Sequence, residues 1–424
     1  MPPCLLSGSG PREHALQPFD IAGSAVTTLS VPLPSPHAAD VSAERPLRSA
    51  FIVSPLFDGF FFFASAAAVL IAWFAAAQLN VRPFYILAAV AVVSNGPHLV
   101  STWTRVYMDR REWRTRPFKI TVVPLLIAGV VVSLVLLGRS SVAVPAGITS
   151  ALASLGFVDG RPILLDGNRM LHTALLYWAV WHFVAQCWGL LRIYQNRSGE
   201  PYGSLALRLE KPMLFTFVAW CLLHRLQTGP RRLFGTELYY PTVSLTLVNL
   251  LLGASVALAA AWVLLRVIDR QNTRRHHIWL RAAFLGSCVV GFAVPFLLIT
   301  TDDTTGFAAA ACWHGLQYLG IIRFYHRTAW KNGVHPDAKA ISWISQPGKG
   351  RLFLYVALLL ALAGSGYVLI WTGSLLTAGT KWNAYTWGSV VWLSFTFSHY
   401  YLDGVIWKVS RDKVMASRLK LNPS

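Results

Sequence analysis

Residues 171–195 read LHTALLYWAVWHFVAQCWGLLRIYQ, and from Ala174 to Leu191 they contain no Asp, Glu, Lys or Arg. The stretch matches the roughly 20 residues a helix needs to cross a bilayer. Near its middle stands His182, an expensive residue at that depth. Nine more apolar segments lie at about 57–79, 83–106, 118–138, 212–231, 241–266, 281–300, 305–326, 352–373 and 383–408. The expected fold is an all-α polytopic integral membrane helix bundle of about ten transmembrane helices. Eight remain if two weak segments fail to span. The fifth segment, 212–231, is the weakest, because His224 and Arg225 follow directly on its short clean run Met213 to Leu223.

Composition agrees. The chain has 424 residues, 54% hydrophobic and 13% charged, against roughly 25% charged in soluble domains. Its net charge of +19 would suggest nucleic acid for a soluble protein. Here the basic residues cluster between apolar runs, so topology explains them and no nucleic-acid partner is expected. Residues 1–50 are rich in Pro, Ser and Ala without an apolar core run, and are expected to be a disordered tail. Residues 51–408 form the transmembrane domain, and 409–424 a basic tail. Of 37 Lys and Arg, 26 lie in the C-terminal tail or at the ends and loops after even-numbered segments. Only 8 follow odd-numbered ones. The positive-inside rule then puts both termini in the cytoplasm. The cysteines form no C-x-x-C pair and are expected to be small buried thiols.

Four histidines, His98, His182, His314 and His399, lie one to each of segments 2, 4, 8 and 10. Each precedes a basic residue by 7 to 10 positions: Arg105, Arg192, Arg323 and Lys408. At 1.5 Å per residue they share one layer about 10–15 Å from the basic ends. Imidazoles on facing helices can converge on a metal, and neutral imidazole suits Fe, Zn, Cu and Ni. Each has polar company one turn away, on its own face. Gln186 follows His182 by four, Gln317 follows His314 by three, Asp403 follows His399 by four, and Asn95 and Thr102 flank His98. Metal-bound histidine commonly gives its second N–H to such a partner. Asp403 is the best candidate orienter or ligand, with Gln186 and Gln317 as further candidate catalytic groups. His224 is a candidate fifth ligand and Arg225 a candidate anion partner if segment 5 spans. His14, His37, His276, His277, His326 and His335 read as solvated. The alternative for the four is separate structural histidines bonded across helices.

Segments 4 and 8 also share Q-x-x-G-x-x-R-x-Y, as Gln186, Gly189, Arg192 and Tyr194, then Gln317, Gly320, Arg323 and Tyr325. Tyr and Arg at a membrane interface need no special cause, but the matched His, Gln and Gly suggest a repeated site-building helix.

The run His399-Tyr-Tyr-Leu-Asp403-Gly404-Val-Ile-Trp407-Lys408 resembles the H-[YF]-x-x-D-G-x-[IL]-W-K element of uncharacterised bacterial polytopic membrane proteins. Asn95-Gly-Pro97-His98 resembles their N-x-P-H element. The resemblance covers short stretches and implies a bacterial cytoplasmic (inner) membrane. The site type is similar to that of Brp/Blh-like membrane carotene dioxygenases, which implies non-haem iron on four helix-borne histidines. The expected function is a non-haem-iron membrane oxidoreductase or oxygenase acting on a lipophilic small molecule within the lipid bilayer. Two rivals stay open: a haem protein for electron transfer, and a transporter with an intramembrane histidine pathway, for which Pro97 and Pro295 would interrupt helices.

Overall fold

Hydrocarbon offers a peptide group no hydrogen-bond partner, so an apolar run must close its own bonds as a helix. All ten segments are helical in the computed structural model, which describes residues 50–154, 164–198, 200, 203–229, 231–271, 277–299, 303–380, 382–407 and 413–419. They are α1 (Pro55–Ala77), α2 (Pro83–Val106), α3 (Pro117–Leu137), α4 (Gly167–Ser198) and α5 (Leu205–Thr228). Then come α6 (Leu245–Ile268), α7 (Ile278–Leu298), α8 (Asp303–Ala329), α9 (Arg351–Leu376) and α10 (Ala384–Ile406). Seven of them are long and apolar enough to cross a membrane, α5, α8 and α10 being the exceptions. The disordered tail expected for residues 1–50 lies outside the described residues apart from Ala50.

The three exceptions have a physical cause. Hydropathy measures fitness for lipid, and α8 scarcely meets lipid. From Thr305 through Tyr325 nearly every side chain is buried, so the helix can carry Thr305, His314 and Gln317 toward protein neighbours. It packs on α1, α2 and α7, while α10 packs on α2, α3, α4 and α9. In contrast α3 and α6 bury least of the seven, and α3 has the highest mean hydropathy.

Three helices contain a π-helical stretch, at Gly59–Phe63, Ala91–Asn95 and Val294–Leu298. In α2 and α7 the stretch adjoins Pro97 and Pro295, whose missing N–H breaks the α-helical ladder. Neither proline ends its helix.

Between α3 and α4 lies a strand pair, Arg139–Ala143 with Leu164–Asp166, and a helix Ala146–Ser154. The expected C-terminal tail is partly structured. Lys413–Arg418 is a short helix that packs on α8, and Met415 and Leu419 are buried. The structure corrects the expectation for His326. It is 1% exposed, with Nε2 3.1 Å from Thr104 Oγ1 of α2 and its ring 6.1 Å from that of Tyr355 of α9, because those two helices pack against its face of α8. His277 and His335 are partly buried, and His14, His37 and His276 lie outside the described residues. Cys187, Cys221, Cys288 and Cys312 are free and buried, as expected.

Where α4, α5, α6 and α7 meet, two acids and two arginines are buried together. Arg266 donates to Glu200 at 2.7 Å and to Glu210 at 3.3 Å. Arg281 donates to Glu200 and lies 3.1 Å from Glu210. Gln195 and Trp262 complete the Glu210 carboxylate at 2.7 and 3.2 Å. The group is charge-balanced and ties four helices at their basic ends.

Candidate metal centre

α2, α4, α8 and α10 deliver their histidines to one point. In α2 the register shift falls just before His98, where the Gly96 N–H bonds to Ala91 O. Such π-bulges occur often at functional sites. Gly315 lets α8 approach. A Cβ there would collide with Ser94 Oγ and stand 3.3 Å from His98 Cβ, and Ser94 Oγ donates to the Cys312 carbonyl at 2.9 Å.

His98, His182, His314 and His399 are all buried, and each offers one ring nitrogen within 4.8 Å of the others'. Ring centroids lie 4.3 Å apart for His98 and His399, and 4.8 Å for His314 with either His98 or His182. An ion holding nitrogens at about 2.0–2.2 Å would set opposite ones about 4.4 Å apart at most. The set is therefore near the spacing of ligands to one ion, though wider than it.

Hydrogen bonding makes the same point from the other side. His98 Nδ1, His182 Nε2, both nitrogens of His314 and His399 Nε2 are buried with no hydrogen-bond partner among the described residues. Each such atom costs about 1–3 kcal/mol when left unsatisfied. Four buried imidazoles with unpartnered nitrogens grouped this closely are compatible with a shared metal ion.

Asp403 supports the cluster. Its Oδ1 accepts from Tyr318 OH at 2.7 Å and from Thr102 Oγ1 at 2.9 Å. Thr102 has one proton, and donating it to Asp403 leaves its oxygen to accept from His399 Nδ1 at 2.8 Å. His399 is thereby held with its proton on Nδ1 and its Nε2 lone pair toward the centre. Asp403 Oδ2 lies 3.5 Å from His399 Nε2 and 3.7 Å from His182 Nε2. It faces two of the four histidines and is positioned for the same centre. Trp407 Nε1 donates to Tyr318 OH at 3.2 Å and steadies the phenol.

Tyr318 was missed in the sequence, although it sits four residues after His314 and so shares its face. Gln317 is fully buried, and its amide has no partner among the described residues. Gln186 donates to the His314 carbonyl at 3.1 Å, so it braces the backbone of the neighbouring histidine helix and does not bond to an imidazole. His224 does not join the four. Its ring lies 6.0 Å from that of Trp220, and Thr228 Oγ1 is 3.3 Å from its Nδ1. Arg225 donates to the Ile299 carbonyl. The two glycines of the Q-x-x-G-x-x-R-x-Y echo are not equivalent. A Cβ on Gly320 would lie 2.7 Å from Phe61 Cβ, whereas Gly189 is open.

Two cavities flank the histidine layer. One of 470 Å³ lies on the side away from the basic helix ends and reaches His98 between apolar walls such as Leu87, Phe183 and Trp392. The other, of 530 Å³, lies toward the basic ends and is lined by His182, Gln186, Tyr318 and Asp403. Tyr400 borders both, with its ring 4.4 Å from that of His182.

No family model, curated protein or solved structure matches this chain.

Replacing Asp403 by Asn keeps the shape and removes the charge. If Asp403 orients or completes the centre, Asp403→Asn should weaken metal retention about 10–100-fold, measured by competition with a chelator. Equal retention in the two proteins would leave Asp403 a structural role only.

Proposed function

We propose that the four histidines hold a single transition metal, non-haem iron, and that the protein is a membrane oxidoreductase or oxygenase acting on a lipophilic small molecule. The observation that carries this reading is the convergence of four buried imidazoles, each with an unpartnered nitrogen among the described residues, on one centre. Nitrogen donors with one nearby carboxylate favour iron over magnesium or calcium. The bound iron would supply dioxygen activation. The chain's residues would position it: Thr102 fixes the His399 tautomer, Tyr318 and Thr102 hold Asp403, and Gln186 braces α8. A haem fits less well. The ring centroid of His98 lies 4.3 to 6.4 Å from those of the other three, so a porphyrin placed among them would have to displace the histidines that do not hold it. The resemblance in site type to Brp/Blh-like enzymes points the same way.

The test is metal analysis and an absorption spectrum of gently extracted protein, with the histidine variants argued below. A Soret band would replace this reading with the haem one. A transporter is the second reading, and the two cavities on opposite sides of the layer are what favour it. Protein that purifies free of transition metal and haem, with all four histidines dispensable, would end the enzyme reading in favour of a transporter or of separate structural histidines.

On a ten-span reading the distribution of basic residues supports both termini inside, and the resemblance of the short sequence elements to bacterial membrane proteins supports a bacterial cytoplasmic membrane. Reporter fusions after residues 116, 200, 275, 340 and 424 should all report cytoplasm. An external signal at any two would overturn this topology.

A further inference from the structure

The two cavities differ in charge. Asp403 lines one, and among the described residues no Asp, Glu, Lys or Arg lines the other, the cavity away from the basic ends. Its outer border is formed by residues that face the bilayer: Phe84 of α2, 71% exposed, Tyr385 of α10, 62% exposed, and Tyr367 of α9, 43% exposed. Ala88 of α2 lies beside them, also exposed. Its inner end is His98, 2% exposed. The space thus runs from a membrane-facing gap between α2, α9 and α10 to a metal-ligand candidate.

We propose that this cavity admits an uncharged lipid sideways from the bilayer, an isoprenoid or acyl chain bearing at most a hydroxyl or carbonyl, and brings it to the His98 face of the histidine set. The assignment rests on the reading of that set as a metal centre. A phosphate or ammonium head group would lose its hydration there with no Asp, Glu, Lys or Arg among the described residues to meet it. A hydroxyl or carbonyl has partners. Asn95 and Thr396, each three residues before a histidine, line the wall one turn outward from the layer. The volume of 470 Å³ falls in the roughly 300–1,000 Å³ range of small-molecule sites. The other cavity has walls that are also largely apolar, but it carries the Asp403 carboxylate and the Gln186 amide, so a wholly uncharged chain meets a carboxylate there and none in the first. Residues 84–98 and 385–399 precede the basic ends of α2 and α10, so the gap opens in the leaflet opposite those ends.

Gly388 offers a way to close the cavity. It lines the wall, and a Cβ added there would meet nothing within 4 Å. The experiment uses the full chain in phosphatidylcholine vesicles with a diazirine-bearing long-chain alcohol, and the matching alkyl phosphate as the charged probe. After irradiation, the alcohol should label peptides spanning Phe84–Leu99 and Tyr385–Tyr400 above those of lipid-facing α3 and α6. Gly388→Trp should cut that labelling severalfold. Val92→Trp, on the exposed face of α2 outside the cavity, should leave it unchanged. The alkyl phosphate should show no such enrichment. Ser389→Phe, a second wall substitution, stands in if Gly388→Trp does not fold. Labelling no higher than on α3 and α6, insensitive to both wall variants, or equal for the two probes would overturn the proposal. Repeating the labelling after metal removal separates the two readings. A protein that binds no metal but labels as described refutes the metal centre and keeps the lipid cavity. A metal-loaded protein that fails to label does the reverse.

Discussion

Purified His314→Ala protein should retain almost no transition metal. His314 has both ring nitrogens buried without partners among the described residues and packs face-on against Phe183 with centroids 4.2 Å apart. It sits on the most enclosed helix, and its ring has no competing hydrogen bond there. Losing a direct ligand should exceed the roughly 10–100-fold that supporting residues cost. His98→Ala, His182→Ala and His399→Ala should behave alike, because one centre needs the whole set. The expected pattern is four equivalent losses of bound metal, with Phe183→Leu as the packing control that keeps it. Membranes from cells with and without the gene should also differ in a lipid or isoprenoid species, and each histidine variant should remove the difference. Wild-type protein without metal, or variants that each keep full occupancy, would end the metal reading.

The ten helical segments were legible because a run of apolar residues has one solution in hydrocarbon. The convergence of His98, His182, His314 and His399 was legible too. Even-numbered segments run in one direction, so equal distance from the basic ends means equal depth. What could not be read was how the helices rotate about their axes. Gln186 shares a face with His182 yet reaches across to the backbone of α8. Tyr318 was overlooked beside Gln317, because both lie one turn from His314 and only the packing selects the residue that meets Asp403. Gly189 and Gly320 hold matching positions in a repeated string, yet only Gly320 has a neighbour against it. His326 looked solvated beside Arg327, since nothing local foretells that Thr104 of α2 and Tyr355 of α9 will pack against it. Helix-forming information is local, whereas these contacts depend on residues many tens of positions away.

The second large effect concerns the charged group linking α4 to α7. Glu210 is fully buried and Arg281 1% exposed, so each depends on its partners to offset desolvation. Arg281→Met would fill similar space and leave Glu200 and Glu210 sharing Arg266 alone. Breaking one side of a buried ion pair costs about 3–5 kcal/mol, a large part of the roughly 5–15 kcal/mol that holds a typical domain folded. The SDS-unfolding midpoint should therefore fall sharply. Arg281→Lys should rescue it only in part, because a point charge cannot match the fork that reaches Ser198 and both carboxylates. Acid should act on the same group. Burial pushes the Glu200 carboxyl up, but hydrogen bonds from Arg266, Ser204 and Arg281 outweigh it and hold the pKa at about 2, against an ordinary 4.5. A lowered carboxylate contributes stability that is complete above its unfolded pKa and lost as pH falls through the folded one. The wild-type midpoint should thus decline between pH 4.5 and about 2, and Glu200→Gln should flatten that decline while starting lower. An Arg281→Met protein as resistant to SDS as wild type would show that the four charges contribute nothing net to holding these helices together.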